Sequence, residues 1–307
     1  MLKKYWIPLF FSIFFISCFP FQQKESQDAA SAGMKEIKKG SAWYNRGCYY
    51  RSLNSFIKAN ELFSGEDAAA GVAMSLNNMG NSYRAVGNFN KAEAFLKEAY
   101  QTYSDIKDYQ GMLQVLSNTA SLLIENGKKP EALKIIKSAD KISEDNSIIF
   151  TPLLNIKAAV MIKEKQYNKA EQMLNIALQQ AEESASEYAA ANFLLAEIMI
   201  KKKEYNSALQ SLDTALAIDK ANGFYKGMAE DLEKIAKVKS AIGKKKEAVF
   251  FLKRSVKIYA LIGKEKKCLK LISLIESLAK ETGTDTTITK HLIDKWLKKE
   301  MIENSCE

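Results

Sequence analysis

Residues 75–100 read S-L-N-N-M-G-N-S-Y-R-A-V-G-N-F-N-K-A-E-A-F-L-K-E-A-Y. Gly80 and Ala92 stand twelve positions apart in this stretch, with Tyr83, Phe89, Leu96 and Ala99 at set distances from them. Gly87 falls between two runs of helical periodicity, so the segment reads as one helix–turn–helix unit. The same skeleton returns about every 40 residues from Gly40 onward.

Small residues carry the register. Gly40, Gly80, Ala120, Ala158, Ala196 and Ala236 are followed twelve positions later by Ser52, Ala92, Ala132, Ala170, Ala208 and Ala248. Four further on stand Phe56, Leu96, Ile136, Leu174, Leu212 and Leu252, and three beyond those Ala59, Ala99, Ala139, Ala177, Ala215 and Ser255. Agreement at four offsets across six units marks an internal repeat. Two antiparallel helices approach closely where a glycine or alanine stands at the crossing, and a large side chain then fills the space left beside it. Trp43, Tyr83, Leu123, Met161 and Met199, three after the first small residue, are the expected fillers. Tyr49, Phe89, Tyr167 and Tyr205 open the second helix and wedge the turn. The third unit has Lys129 there, and the sixth departs most, with Lys239 and Lys245 at these two positions.

These elements resemble the tetratricopeptide repeat family over about Met34 to Tyr259, its G-x2-Y and A-x3-F elements appearing as Gly80-Asn81-Ser82-Tyr83 and Ala92-Glu93-Ala94-Phe95-Leu96. The unit spacings of 40, 40, 38, 38 and 40 exceed the family's common length, which amounts to roughly one more helical turn per unit. The family's helix-ending proline is absent, Pro130 and Pro152 lying elsewhere. The resemblance implies an all-α fold, a right-handed α-solenoid of about six to seven helix pairs with 38–40 residue repeats. It also implies a concave groove lined by the first helix of each pair, where a protein or peptide partner binds. The groove positions of the second and third units hold Asn77, Asn78, Asn81 and Arg84, then Gln114, Ser117, Asn118 and Ser121. Spacings of three, four and seven bring each group of four onto one helix face. Side-chain amides suit an extended peptide, because each offers a donor and an acceptor to a backbone amide. No cluster of lysines marks a clamp for a C-terminal carboxylate.

The N-terminus carries an address. Lys3 and Lys4 precede an apolar run from Tyr5 to Ile16, the layout of an export signal and too short to span a bilayer comfortably. Phe15-Ile16-Ser17-Cys18 resembles a bacterial lipobox, with Phe15 where leucine is usual. The resemblance implies a lipoprotein signal peptide over residues 1–17, cleavage before Cys18, and lipidation of that cysteine with palmitate-class chains. Several acyl chains hold a protein stably, at about 0.8 kcal/mol per buried methylene. Phe19 in place of aspartate favours the outer membrane in enteric-type sorting, so the expectation is a protein facing the periplasm of a bacterial envelope. The rival is an uncleaved signal anchor retaining the run to Phe21. Residues 18–33 are rich in Gln, Ser, Ala, Asp and Glu without a periodic apolar face, and read as a flexible tether. The solenoid is expected over 34–262, and 263–307 as a degenerate pair closing the open end of the core. There Leu269, Ile272, Leu274, Ile275 and Leu278 form one stripe, and Leu292, Ile293, Trp296, Leu297 and Met301 another. The competing reading of the last helix, with Lys290, Lys295, Lys298 and Lys299, is a basic amphipathic segment lying on a membrane.

Composition bounds the chemistry. Hydrophobic residues make up 47% and there are only 4 prolines, which allows a continuous helical core. The net charge of +9 raises nucleic acid as a partner, a reading the export signal demotes. One histidine and four scattered cysteines leave no metal spacing and no disulfide framework. Cys48 and Cys268 lie too far apart along an array to meet, while Cys268 with Cys306 stays open. There is no phosphate loop or nucleophile elbow, so neither a cofactor nor an enzymatic activity is expected. Turns within pairs carry Lys128, Lys165, Lys203 and Lys245, and those between pairs Asp67, Asp108, Asp145 and Asp219. One edge should thus be basic and the other acidic, the basic one facing lipid or an acidic partner. The expected function is a lipid-anchored scaffold holding a partner segment. The alternatives are an assembly factor for a pilus, secretion or outer-membrane complex, and a regulator held by an uncleaved anchor.

Overall fold

The structure, a computed structural model, describes residues 21–183, 185–298 and 306. The leader, Cys18, Lys299 and Met301 lie outside the described residues. Fourteen helices follow one another, with no strand among the described residues. They pair as α1 (Phe21–Asn45) with α2 (Tyr49–Gly65), α3 (Ala69–Ala85) with α4 (Phe89–Asp105), and α5 (Tyr109–Glu125) with α6 (Lys129–Asp145). Then come α7 (Thr151–Lys163) with α8 (Tyr167–Gln180), α9 (Ser186–Lys202) with α10 (Tyr205–Ala221), α11 (Tyr225–Ala241) with α12 (Lys245–Leu261), and α13 (Glu265–Thr282) with α14 (Thr287–Leu297). Each helix from α1 to α13 packs most heavily on a sequence neighbour, whereas α14 packs mainly on α12. The all-α solenoid is therefore present. The residues expected to open the second helix of each pair do so, from Tyr49 to Lys245.

Most helices are 17 residues long, and the period drops to 38 where α7 has 13 residues and α8 has 14. The turns obey one rule. After α3, Gly87 adopts φ 81°, and the N–H of Asn88 donates to Tyr83 O at 2.9 Å. This is the Schellman arrangement, which satisfies carbonyls left open at a helix end. The same five-residue bond closes every connection except that between α8 and α9. Asp67, Lys107, Ser147, Lys165 and Lys203 hold the left-handed position without being glycine, each at a cost of roughly 1 kcal/mol.

Packing follows the repeat. The small and large residues at all four offsets are buried in all six units. The fillers differ from the expectation, however. A Cβ on Gly40 would stand 2.5 Å from the Phe56 ring, and one on Gly80 2.8 Å from Leu96. The space above each glycine is thus filled from the opposite helix, sixteen positions on. Trp43, Tyr83, Met161 and Met199 are only partly buried. A second interlock joins successive pairs: Phe63 sits against both Gly33 and Gly71, and Tyr103 against Gly111.

The ends depart from expectation in two ways. The stretch read as a tether is helical from Phe21 to Gly33, continuous with α1. Its Ala, Gln, Lys and Glu are good helix formers with no proline among them. In the C-terminal stripe Leu269 and Leu274 are exposed, whereas Leu271 and Cys268 are buried beside Ile275 and Leu278. The α12 contact rotates α13 by about one position relative to its apparent stripe. Gly283 ends α13 in the left-handed region, and Asp285 Oδ1 accepts from the Thr287 N–H at 2.8 Å, opening α14. Ile293 of α14 is buried, with Trp296 and Leu297 packed against the α11–α13 core.

The array also coils onto itself. Lys264 Nζ, after α12, donates to Ala85 O, and Asn45 Nδ2 donates to Asn222 O at 3.1 Å. Gly47 packs directly on Ile262, and Lys264 stacks over the Tyr49 ring. Cys48 forms a disulfide with Cys306 across 258 positions, while Cys268 is a buried free thiol. The pairing left open for Cys268 and Cys306 is therefore corrected. Superhelical coiling, which residue spacing does not report, brings the first turn beside the chain end. The within-pair edge of the first units meets the between-pair edge of the last, so part of the basic edge is covered.

Gly111→Ala should destabilise the protein by about 1–3 kcal/mol, because its methyl would overlap the Tyr103 ring. Gly65→Ala, which meets nothing within 4 Å, should instead stabilise it by up to about 1 kcal/mol. Urea denaturation of the two variants side by side measures both. Cys306→Ser should lower stability by about 3–5 kcal/mol, because it frees a very long loop, and small-angle scattering should show a larger radius of gyration.

Candidate functional site

Successive odd-numbered helices from α1 to α9 pack side by side, whereas even-numbered helices meet one another substantially only at α12 and α14. The odd layer is therefore the inner side of the curve. Tyr44, Arg84, Glu125 and Lys226, all on odd helices, line one cavity of 330 Å³ together with Lys264. Inner residues of α1, α3, α5 and α11 thus share one central space. The row of odd helices is interrupted between α9 and α11, which do not pack side by side as their predecessors do.

The eight groove candidates all lie on α3 and α5, but they do different things. Asn77 is buried, and its Oδ1 accepts from Asn118 Nδ2 at 2.8 Å, tying the two inner helices together. Arg84 reaches the Asn118 carbonyl at 3.5 Å and Glu125 at 3.9 Å. Ser117 is 1% exposed, and its Oγ has no hydrogen-bond partner; Asn81 Oδ1 is likewise buried without one. Asn78, Gln114, Asn118 and Ser121 are partly accessible. Sequence spacing placed these residues on two neighbouring inner helices, yet half of the amide row serves the array itself. An adjacent Asn on a neighbouring helix satisfies Asn77, which a linear pattern cannot show.

A second inner cavity went unread. It occupies 270 Å³ in the gap between α9 and α11 and is reached by α7. Its walls include Ile156, Ala190, Phe193, Leu194 and Phe224, and its polar lining is Asn155, Asp219, Glu230 and Asp231. Asp219 is 6% exposed and Asp231 1%. Burial, with Glu230 adding to it, raises the Asp219 carboxyl to about 7. Burial, with Asp219 and Glu230 adding to it, raises Asp231 to about 9. The charges named in both shifts are acidic. Glu230 is held above the usual carboxylate range by the surrounding protein, although its side chain is 38% exposed, and Lys226 at 3.9 Å acts the other way. Asn155 Nδ2 donates to Glu187 O at 2.9 Å, but its Oδ1 and Asp231 Oδ2 have no partner. Among the described residues no group of three or more His, Cys, Asp or Glu side chains converges as a metal site. No helix among them is long and apolar enough to cross a membrane.

Residues 71–144 match the Tetratricopeptide repeat family. The fold is a tetratricopeptide-repeat solenoid. The crystal structure of the APC/C hetero-tetramer Cut9–Hcn1 is similar to it, with a TM-score of 0.53 at 18% identity over 77% of this chain and 44% of that one. A tetratricopeptide repeat protein from Parabacteroides merdae covers 87% of this chain and 99% of its own, with a TM-score of 0.43 at 17% identity. In sequence, 134 residues are 28% identical to the regulatory protein RapG of Bacillus subtilis (strain 168), taking in 42% of this chain and 37% of that relative. The chain therefore spans little more than a third of RapG.

The tetratricopeptide array should lose stability as pH rises. Asp219 and Asp231 start from 3.8 in an unfolded chain and rise to about 7 and about 9 on folding. The folded state thus binds more protons, and its advantage is full below about 4 and is lost as pH rises through the folded values. Each pH unit within that window costs about 1.4 kcal/mol per group before relaxation. Urea midpoints should fall between about pH 5 and pH 9, and Asp231→Asn should flatten the decline and raise stability at the alkaline end.

Proposed function

We propose that this protein is a non-enzymatic scaffold that holds a segment of a protein partner along the inner face of its coiled array. One observation carries the reading. Among the described residues, five buried side-chain atoms lack a hydrogen-bond partner, Glu36 Oε2, Asn81 Oδ1, Ser117 Oγ, Asn155 Oδ1 and Asp231 Oδ2, and all lie on the odd-numbered helices α1, α3, α5, α7 and α11, Glu36 having Lys39 Nζ at 3.6 Å. An unpaired buried polar atom costs about 1–3 kcal/mol, and native chains retain few of them. Asn155 and Asp231 line the cavity between α9 and α11, where an extended peptide could supply the missing partners. The partly accessible Asn78, Gln114, Asn118 and Ser121 add polar groups on α3 and α5. The likeness to a protein named as regulatory agrees with a role in holding a partner rather than in chemistry.

The same proposal places the array at a bacterial envelope membrane through acylated Cys18, facing an oxidising compartment. The lipobox-like Ile16-Ser17-Cys18 supports this. So does the Cys48–Cys306 disulfide, since such bonds persist outside the reducing cytoplasm. Two measurements test the two halves. Photocrosslinkers at positions 78 and 118 should capture the partner in cells, while one at exposed Phe250 should not; capture from Phe250 alone would overturn the groove. Fatty-acid labelling should tag the wild type and vanish in Cys18→Ala. An unlabelled wild type would instead favour an uncleaved anchor.

A further inference from the structure

Internal repetition allows each residue to be compared with its counterparts in the other units. Twenty-three positions after the first small residue stand Phe63, Tyr103, Ser143, Ala181, Asp219 and Tyr259. Phe63 and Tyr103 lie on Gly71 and Gly111 of the following unit, and in the fifth unit Asp219 Oδ2 takes that place on Gly227. Five positions before the first small residue stand Lys35, Ser75, Val115, Leu153, Ala191 and Asp231, all buried except the exposed Lys35 of the first unit. Only the last is a carboxylate. Two positions that elsewhere, apart from the exposed Lys35, take aromatic, small or aliphatic residues thus carry acids, and both acids line the same cavity. A repeat breaks its own packing rule at a functional site more readily than at random.

The cavity adds independent signs. Asn155 is 7% exposed and leaves its Oδ1 without a donor, as Asp231 leaves its Oδ2. Asp219, Asp231 and Asn155 together present acceptors, and among the described residues the charges that shift the two aspartates are acidic. The walls beyond them are apolar, from Ile156, Ala190, Phe193 and Leu194. Two buried acids beside apolar walls complement a compact cation on an aliphatic stem, whose arrival would draw their protons off. An ammonium carries three donors and no acceptor, which matches three acceptors; a guanidinium carries five donors in a planar fork.

We propose that this cavity receives a lysine side chain of the bound partner segment, its ammonium held by Asp219, Asp231 and Asn155 and its methylenes lying along the apolar walls. The assignment rests on the reading that a partner segment lies along the inner face. It deepens that reading by stating which residue the partner presents. Arginine, a free chain terminus and an uncharged residue are the competing occupants.

Fluorescein-labelled, N-acetylated octapeptide libraries separate them, with one central position fixed as lysine, norleucine or arginine, and titrated into the disulfide-bonded protein. The lysine library should bind at least about tenfold more tightly than the norleucine library. That preference should disappear in Asp231→Asn and shrink in Asp219→Asn, two variants expected to fold at least as well as the wild type. Equal binding of lysine and norleucine overturns the proposal, as does a preference for arginine. So does equal binding of a lysine-free library with an unblocked N-terminus. Photocrosslinkers at positions 78 and 118, used with the same libraries, keep the two readings apart. Crosslinking without lysine preference retains the groove and overturns the cavity assignment. Lysine-selective binding without crosslinking retains the cavity assignment and overturns the path along α3 and α5. No binding of any library overturns both.

Discussion

Close approach of helices at a repeated small residue is the constraint on which this protein depends. Where Gly40, Gly80 or an alanine stands at the crossing, the partner helix can insert Phe56, Leu96 or its counterpart into the space. Each interlock is local, so one unit buries its face only against the next, and the core is a stack of clusters rather than a single centre. The second interlock, Phe63 on Gly71 and Tyr103 on Gly111, sets how each pair sits on its successor. Curvature follows from these two contacts together, because the inner helices approach one another more closely than the outer ones.

That curvature has consequences beyond packing. It coils the array until Lys264 reaches Ala85 and Asn45 reaches Asn222, and the Cys48–Cys306 bond fastens the ring. An open solenoid would leave its groove free to widen. Here the inner charges Arg84, Glu125, Lys226 and Lys264 are gathered around one space. The departure at the α8–α9 connection and the gap between α9 and α11 interrupt the inner layer. The acid-lined cavity occupies that gap.

The candidate site was legible in part. Asn77, Asn78, Asn118 and their neighbours could be placed on the inner face because period and face are linear properties of a helix. Their individual duties could not, because the Asn77–Asn118 hydrogen bond joins residues 41 apart on different helices. Asp219 and Asp231 carried a signal that could have been found. They break the repeat at positions where every other unit is apolar or small, apart from the polar Ser75, Ser143 and the exposed Lys35. Read singly along the chain, each looks like a solvated acid. Only their burial beside each other marks them as a site.

Residue order alone was enough for the helical class, the unit length, the turn positions and the buried face of the central helices. All of these arise from contacts within a helix or between neighbours, whose spacing is written directly into the chain. It misjudged the filler of each glycine, the stripe on α13 and the partner of Cys306. Those depend on how one helix is rotated against another and on an angle that accumulates from unit to unit. A small error in that angle, summed over seven pairs, decides whether the two ends meet, so the closed ring is a property of the assembled array.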